Sequence, residues 1–349
     1  MPRPAARLVP PAHALALALA MLSALVPPRS AAQDAAARPL RAGIIGLDTS
    51  HATAFTKSLN APEPKPELAG VRVVAAFPGG SPDIDGNTKH MEEYTRELRD
   101  VHKVEIVDSI DALLAKVDVV LLESVDGRPH LKQAEPVFRA RKPVFIDKPV
   151  AGSLADALTI ARLAEESGTP WFSSSALRYS PSVRKLRDNP AVGDVVGCDA
   201  FSPSPLEPHH PDLFWYGIHG VETLFTVMGP GCVSVARTRT EGSEIVAGTW
   251  KDGRIGTFRG TRQGPHDYGA LAFGTKGIVL GKGFGGYEPL LVEVVKFFRT
   301  GKPPVSAKET LEIYAFMEAA DESKRQGGKP VDLEGVLARA REQAGAPSK

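Results

Sequence analysis

A chain of 349 residues is too long for one ordinary hydrophobic core and fits two domains. Its 42 basic and 41 acidic residues leave a net charge of +1, which gives no reason to expect nucleic acid or an anionic membrane as partner. The 42% hydrophobic content is that of a soluble globular protein, and two cysteines, Cys198 and Cys232, are too few for a disulfide-built scaffold.

The N-terminus reads as a targeting signal. Arg3 and Arg7 form a basic region, Ala14 to Val26 is apolar, and Pro27-Pro28 breaks any helix before the small residues Ser30-Ala31-Ala32. The apolar run is too short to span a bilayer, so the expected mature protein has no membrane span and is exported to the periplasm or the extracellular space. The expected division is a signal over 1–32, a linker over 33–39, a first domain over 40–176 and a second over 177–349.

Four apolar runs follow in order: Arg41 to Gly46, Val71 to Phe77, Val117 to Glu123 and Pro143 to Asp147. They carry few polar residues, as strands covered on both faces do. Helical stretches at His90–Arg99 and Asp108–Ala115 separate them, so the alternation predicts a parallel sheet with right-handed crossovers. Ser153 and Asp156 make a near capping box for a helix ending at Gly168, and Trp171-Phe172-Ser173 reads as a last parallel strand. Beyond Arg178 the runs Val195–Phe201, Glu244–Trp250 and Ile255–Arg259, with a turn at Lys251-Asp252-Gly253-Arg254, predict a mostly antiparallel sheet. Ala307 to Gln326 reads as a long amphipathic helix. The fold class is α/β, a dinucleotide-type parallel sheet followed by an α/β domain with an open, mostly antiparallel sheet.

The turn after the first strand stands where a GxGxxG fingerprint belongs. Gly46 fills the first position, but Asp48 and His51 replace the second and third glycines. An ionised Asp48 facing a diphosphate would be repulsive, and the second strand ends in Phe77-Pro78-Gly79-Gly80 with no acid to hold a ribose hydroxyl. Asp48 or Thr49 can equally serve as the cap of the next helix. Lys148, in Asp147-Lys148-Pro149, falls at the carboxyl edge of the sheet, where ligands bind. It can act as general acid or base on a sugar hydroxyl, or be a solvated loop charge. His219 opens the helix from Val221 to Met228 as a proton-transfer group or a packed histidine, and Glu222 one turn on could orient it. The Pro208-His209-His210-Pro211-Asp212 loop could line a substrate pocket, but a bare His-His pair and the lack of CxxC spacing assign no metal ligands. His130 faces the same crevice or merely begins a helix.

Taken together these residues resemble the glucose–fructose oxidoreductase / inositol dehydrogenase / MocA family (Gfo/Idh/MocA) from about Leu40 to Leu333. The resemblance is carried by Gly43-Ile44-Ile45-Gly46, Ser124 to His130, Asp147-Lys148-Pro149, Arg178-Tyr179, Gly217-Ile218-His219, Gly301 to Val305 and Ala319 to Ser323. It implies a Rossmann domain, a substrate domain whose open sheet packs a homo-oligomer, and NAD- or NADP-linked chemistry on a sugar or cyclitol. The family's lysine and histidine map onto Lys148 and His219 as catalytic groups, while Trp215 stands where an aspartate is common. Cofactor contacts are expected at Gly46, Asp48, Thr49, Ser50, His51, Ser124, Asp126 and His130, and substrate contacts at Arg178, Tyr179, His210 and Tyr216. The leading expectation is an exported sugar oxidoreductase that binds NAD(P) atypically or tightly. The alternatives are a cofactor-independent hydrolase or lyase, with or without a metal, and a non-enzymatic carbohydrate-binding protein on the same scaffold.

Overall fold

The computed structural model describes residues 1, 38–84 and 87–345, so the expected signal at 1–32 and most of the linker at 33–39 lie outside the described residues. Apolar side chains on both faces make Leu40–Ile45 a central strand, β1, paired in parallel with β2 (Val71–Phe77) on one side and β4 (Val119–Leu122) on the other. A two-residue strand, β3 (Glu105–Ile106), which carries too little pattern to be read from sequence, adds to β2. β5 (Val144–Ile146) and β6 (Trp171–Phe172) extend the other edge. The order β3-β2-β1-β4-β5-β6 is that of a doubly wound dinucleotide fold. Its strand order reverses between β1 and β4, and a crevice opens there at the carboxyl ends.

The connecting helices are α1 (Ser50–Leu59), α2 (Asn87–Asp100), α3 (Ile110–Leu114), α4 (His130–Arg139) and α5 (Leu154–Ser167). Thr49 caps α1, its hydroxyl accepting from the His51 amide, and Ser153 caps α5 through the Asp156 amide. Gly168 ends α5 in the left-handed conformation.

A short turn of helix, α6 (Pro181–Arg184), leads into a seven-stranded sheet. Its strands are β7 (Val195–Pro203), β8 (Cys232–Arg239), β9 (Ser243–Trp250), β10 (Ile255–Thr261), β11 (Gly269–Gly274), β12 (Ile278–Lys282) and β13 (Val331–Asp332). Their order is β12-β11-β7-β10-β9-β8-β13, and only the β7–β10 pair is parallel. Helix α7 (Ile218–Met228) lies against this sheet, so close that a Cβ on Gly220 would sit 2.1 Å from the Phe258 ring. Cys198 and Cys232 are buried free thiols. No helix among the described residues is long and apolar enough to cross a membrane.

The chain then returns. Helix α8 (Glu288–Thr300) leaves the second sheet and buries Leu290, Leu291, Val294, Val295, Phe297 and Phe298 against Ala42, Ile44 and Phe172 of the first. Phe297 meets Phe172 edge-on, with ring centres 5.0 Å apart. The core begun by residues 40–176 is thus completed by a helix more than a hundred residues later. Helices α9 (Ala307–Arg325) and α10 (Leu333–Gln343) finish the chain. Burying large apolar side chains at roughly 1.5–3 kcal/mol each makes α8 a strong tie between the two sheets. Phe297→Ala is expected to lower the unfolding free energy by about 3–5 kcal/mol. Urea unfolding checks this, and an unchanged midpoint would mean that α8 does not close the first core.

Candidate active site

Gly46 turns the chain at the end of β1 with φ +96°, and a Cβ there would meet the Ser124 amide nitrogen at 2.2 Å. Only glycine allows this approach, which brings the loop after β1 onto the loop after β4. Asp48 is then carried inward to 5% exposure, where its carboxylate accepts from the Val125 amide at 3.1 Å. Burial raises its pKa to about 6. The loop after β2 covers it: the Leu47 amide donates to the Pro78 carbonyl at 2.6 Å, and a Cβ on Gly80 would lie 3.3 Å from Asp48. Two side-chain links hold this cover down. Ser81 donates to Asp126, and Arg128 donates twice to Asp83 at 2.8 and 2.9 Å.

On the far side of α1's first turn lies a pocket of about 210 Å³, lined by Thr49, Ser50, His51, Lys148, Ser175, Ala176, Leu177, Tyr216, His219, Tyr268, Phe284 and Tyr287. That is room for a single small polyol and falls short of the roughly 300–1,000 Å³ of ordinary ligand sites. Aromatic rings form one wall. Tyr216 and Tyr268 join hydroxyls at 3.1 Å, and Tyr287 stands edge-on to both His51 and Phe284. Such rings suit the apolar face of a sugar, with hydroxyls turned to the polar wall.

The polar wall is Lys148, His51 and His219. The Nδ1 of His219 lies 2.7 Å from the Ser175 hydroxyl, which leaves Nε2 to the pocket. Burial, reinforced by Lys148, holds the imidazole pKa well below its usual value, so His219 is neutral at neutral pH. Ser175 orients it; Glu222 does not, because its carboxylate is taken by Arg178 at 2.6 Å and by Ser174 at 2.8 Å. Behind His51 stand two carboxylates with no exposure to solvent beyond 1%, Glu123 at the end of β4 and Asp147 at the end of β5. The Nδ1 of His51 lies 2.6 Å from Asp147 and 3.8 Å from Glu123. Burial would raise Asp147, but His51 and Lys148 outweigh it and hold its pKa at about 2, whereas burial and the Asp147 charge push Glu123 well above the usual carboxylate range.

Of the residues singled out in the sequence, Lys148, His219, Thr49, Ser50, His51 and Tyr216 meet in this pocket. Gly46 and Asp48 are sealed beneath the β2 loop, and Ser124 spends its hydroxyl on Gln133 at 3.0 Å. His130 is fully buried with Nε2 2.8 Å from the Ser124 carbonyl, and burial lowers its pKa to about 4. Burial would raise Asp126, yet His210, Arg128 and Ser81 hold its pKa well below the usual range. His210 is spent on that contact, 2.9 Å from Asp126, and stands outside the pocket. So do Arg178, ion-paired to Glu222 and to Glu309 at 2.8 Å, and Tyr179, buried under Arg184. His210 and Arg178 lie off the pocket wall because their polar groups tie elements together, and Tyr179 because its ring packs under Arg184. Ser175, Tyr268, Phe284 and Tyr287 escaped the sequence reading, since each comes from a loop with no local pattern. A larger groove of about 840 Å³, lined partly by α5, α9 and α10, shares no residue with the pocket.

A dinucleotide in the ordinary pose does not fit these residues. The glycine that lets a diphosphate approach is replaced by a buried carboxyl group, and the preceding amide, of Leu47, is already bonded to Pro78. The sealed loop gives a direct prediction. Because the Asp48 pKa is higher folded than unfolded, folding takes up a proton between about pH 4 and 6, and stability falls as pH rises through that window. Asp48→Asn keeps the acceptor for Val125 and removes the charge. It is expected to be more stable than the parent at pH 7.5 by about 1–3 kcal/mol, with the difference vanishing towards pH 4. Urea unfolding at several pH values reads this directly, and a pH-independent difference would contradict it.

The model for the oxidoreductase family with an NAD-binding Rossmann fold (GFO_IDH_MocA) matches residues 40–174. A curated relative, 2,7-anhydro-N-acetylneuraminate hydratase of Escherichia coli (strain K12), is 28% identical over 115 residues. That stretch is 31% of this chain and 29% of the relative, so the chain spans under a third of its length. Among solved structures, myo-inositol 2-dehydrogenase from Lactobacillus plantarum superposes with a TM-score of 0.68 at 16% identity, covering 84% of this chain and 99% of the other. An oxidoreductase from Agrobacterium radiobacter, in complex with NAD+, L-tartaric acid and magnesium, gives 0.67 at 15% identity over 85% and 99%. Identities this low speak to the fold, and they do so across both sheets. By the family model over its first sheet and by fold over the rest, the chain resembles the Gfo/Idh/MocA oxidoreductase family.

Proposed function

We propose that the protein is an enzyme that moves protons on a small sugar or cyclitol in a redox-neutral reaction, such as an elimination, a hydration or an epimerisation. The observation that carries this reading is the pocket itself: two acid–base side chains, Lys148 and neutral His219, face an aromatic wall across a space the size of one polyol. In an elimination His219, fixed by Ser175, takes the proton from a substrate carbon while Lys148 protonates the neighbouring hydroxyl, which leaves as water; hydration runs both transfers in reverse. The aromatic wall turns the hydroxyl-rich edge of the ring towards them. A relative that is named a hydratase supports chemistry of this class.

A second reading keeps nicotinamide chemistry, with NAD(P) bound in a pose unlike the ordinary one. The match to a model of NAD-binding Rossmann domains favours it. Export, argued from the N-terminal sequence, belongs to the same proposal and puts the enzyme where free nicotinamide is scarce. N-terminal sequencing of protein collected outside the cytoplasm tests that part.

The main test is incorporation of solvent deuterium into a panel of hexoses, keto-sugars and inositols, read by mass spectrometry with no nicotinamide added. Exchange at a carbon-bound position is expected, and Lys148→Ala or His219→Ala should slow it by about 10²–10⁴-fold. Exchange that survives both substitutions would overturn the assignment. Turnover only with added NAD or NADP, or nicotinamide released on denaturation, would select the second reading.

A further inference from the structure

We propose that His51, Glu123 and Asp147 bind one divalent transition-metal ion beneath the pocket. The proposal does not depend on the identity of the substrate. Each of the three residues offers one donor atom, and these atoms, from the first turn of α1 and from just past the ends of β4 and β5, lie within 4.8 Å of one another.

Two independent observations point to an ion. The first is that both oxygens of Glu123 are fully buried and lack any hydrogen-bond partner. A buried carboxyl group without partners is costly in either protonation state, since the acid form also needs an acceptor for its proton. The second is the way the neighbours converge. His51 Nδ1 and Asp147 Oδ2 lie 2.6 Å apart as an ion pair, and Glu123 Oε2 stands 3.8 Å from the same nitrogen. Donors around a common ion at about 2.1 Å sit roughly 3.0–3.4 Å from each other. The observed separations of 2.6 and 3.8 Å bracket that range, so small side-chain rotations bring all three onto one centre.

One imidazole with two carboxylates suits manganese, iron or zinc better than the hard ions magnesium and calcium, which prefer all-oxygen shells. Of the three ligands only His51 also lines the pocket. The ion therefore lies behind the wall and acts through His51, fixing its ring so that Nε2 faces the substrate. The helix start and strand ends that furnish these ligands are those that would face a dinucleotide in an ordinary Rossmann domain.

The test uses the full chain, freed of metal by chelation and titrated calorimetrically with Mn²⁺ and with Zn²⁺, with thermal melting in parallel. Protein refolded from urea in the presence of each ion, then desalted and analysed for metal, covers slow exchange into a buried site. One equivalent is expected to bind and to raise the melting temperature. Glu123→Gln, which preserves shape, should weaken binding by about tenfold or more. Lys148→Ala removes a positive neighbour and should bind at least as tightly as the parent. Absence of bound metal by both routes would overturn the proposal, as would unchanged affinity in both Glu123→Gln and Asp147→Asn. None of these readouts uses turnover, so failure of the proposed reaction would leave the metal result standing.

Discussion

The contact between Gly46 and the backbone of Ser124 is the constraint on which the site depends. It forces the turn after β1 against the end of β4 at the point where the strand order reverses, and the neighbouring residues follow from it. Asp48 is carried to the Val125 amide, and the first turn of α1 is aimed so that His51 meets Glu123 and Asp147. In an ordinary dinucleotide fold the same turn leaves amides free for a diphosphate. Here the loop after β2 takes the Leu47 amide, and the Ser81–Asp126 and Asp83–Arg128 links hold that loop closed.

The substitutions away from the fingerprint are therefore coordinated. Replacing the second glycine by aspartate introduces a charge that must be buried or repelled, and the backbone of Val125 meets it. Replacing the third glycine by histidine gives the helix start a large ring, which stacks on Phe55 and stands edge-on to Tyr287. That ring would obstruct the close helix-to-strand packing the glycine normally permits. In this chain it becomes a wall of the pocket, with two buried acids behind it.

The polar groups that look catalytic in the sequence divide by what they tie together. Arg178 joins Glu222 and Glu309, and Asp126 joins Ser81, Arg128 and His210; these are cross-links between loops and helices. Lys148 and His219 instead line the pocket, where Ser175 fixes the His219 ring. Burial alone does not separate the two classes. The direction in which each polar atom points does.

Strand identity, the cap at Thr49, the carboxyl-edge place of Lys148 and the start of the helix after His219 are local or periodic properties. They were legible in the chain because β runs, caps and glycine turns are set by neighbouring residues. The replacement of two fingerprint glycines was equally plain. Other features depend on residues distant in sequence. The return of α8 to the first sheet, the choice of Ser175 over Glu222 as partner of His219, the aromatic wall from Tyr268, Phe284 and Tyr287, and the meeting of His51 with Glu123 and Asp147 are of that kind. No spacing rule encodes them, because each joins loops whose approach is fixed only when both sheets have packed. The sequence by itself thus determined the sheet and the break in its phosphate loop, whereas tertiary packing alone decided what occupies that break, since burial and direction arise only in three dimensions.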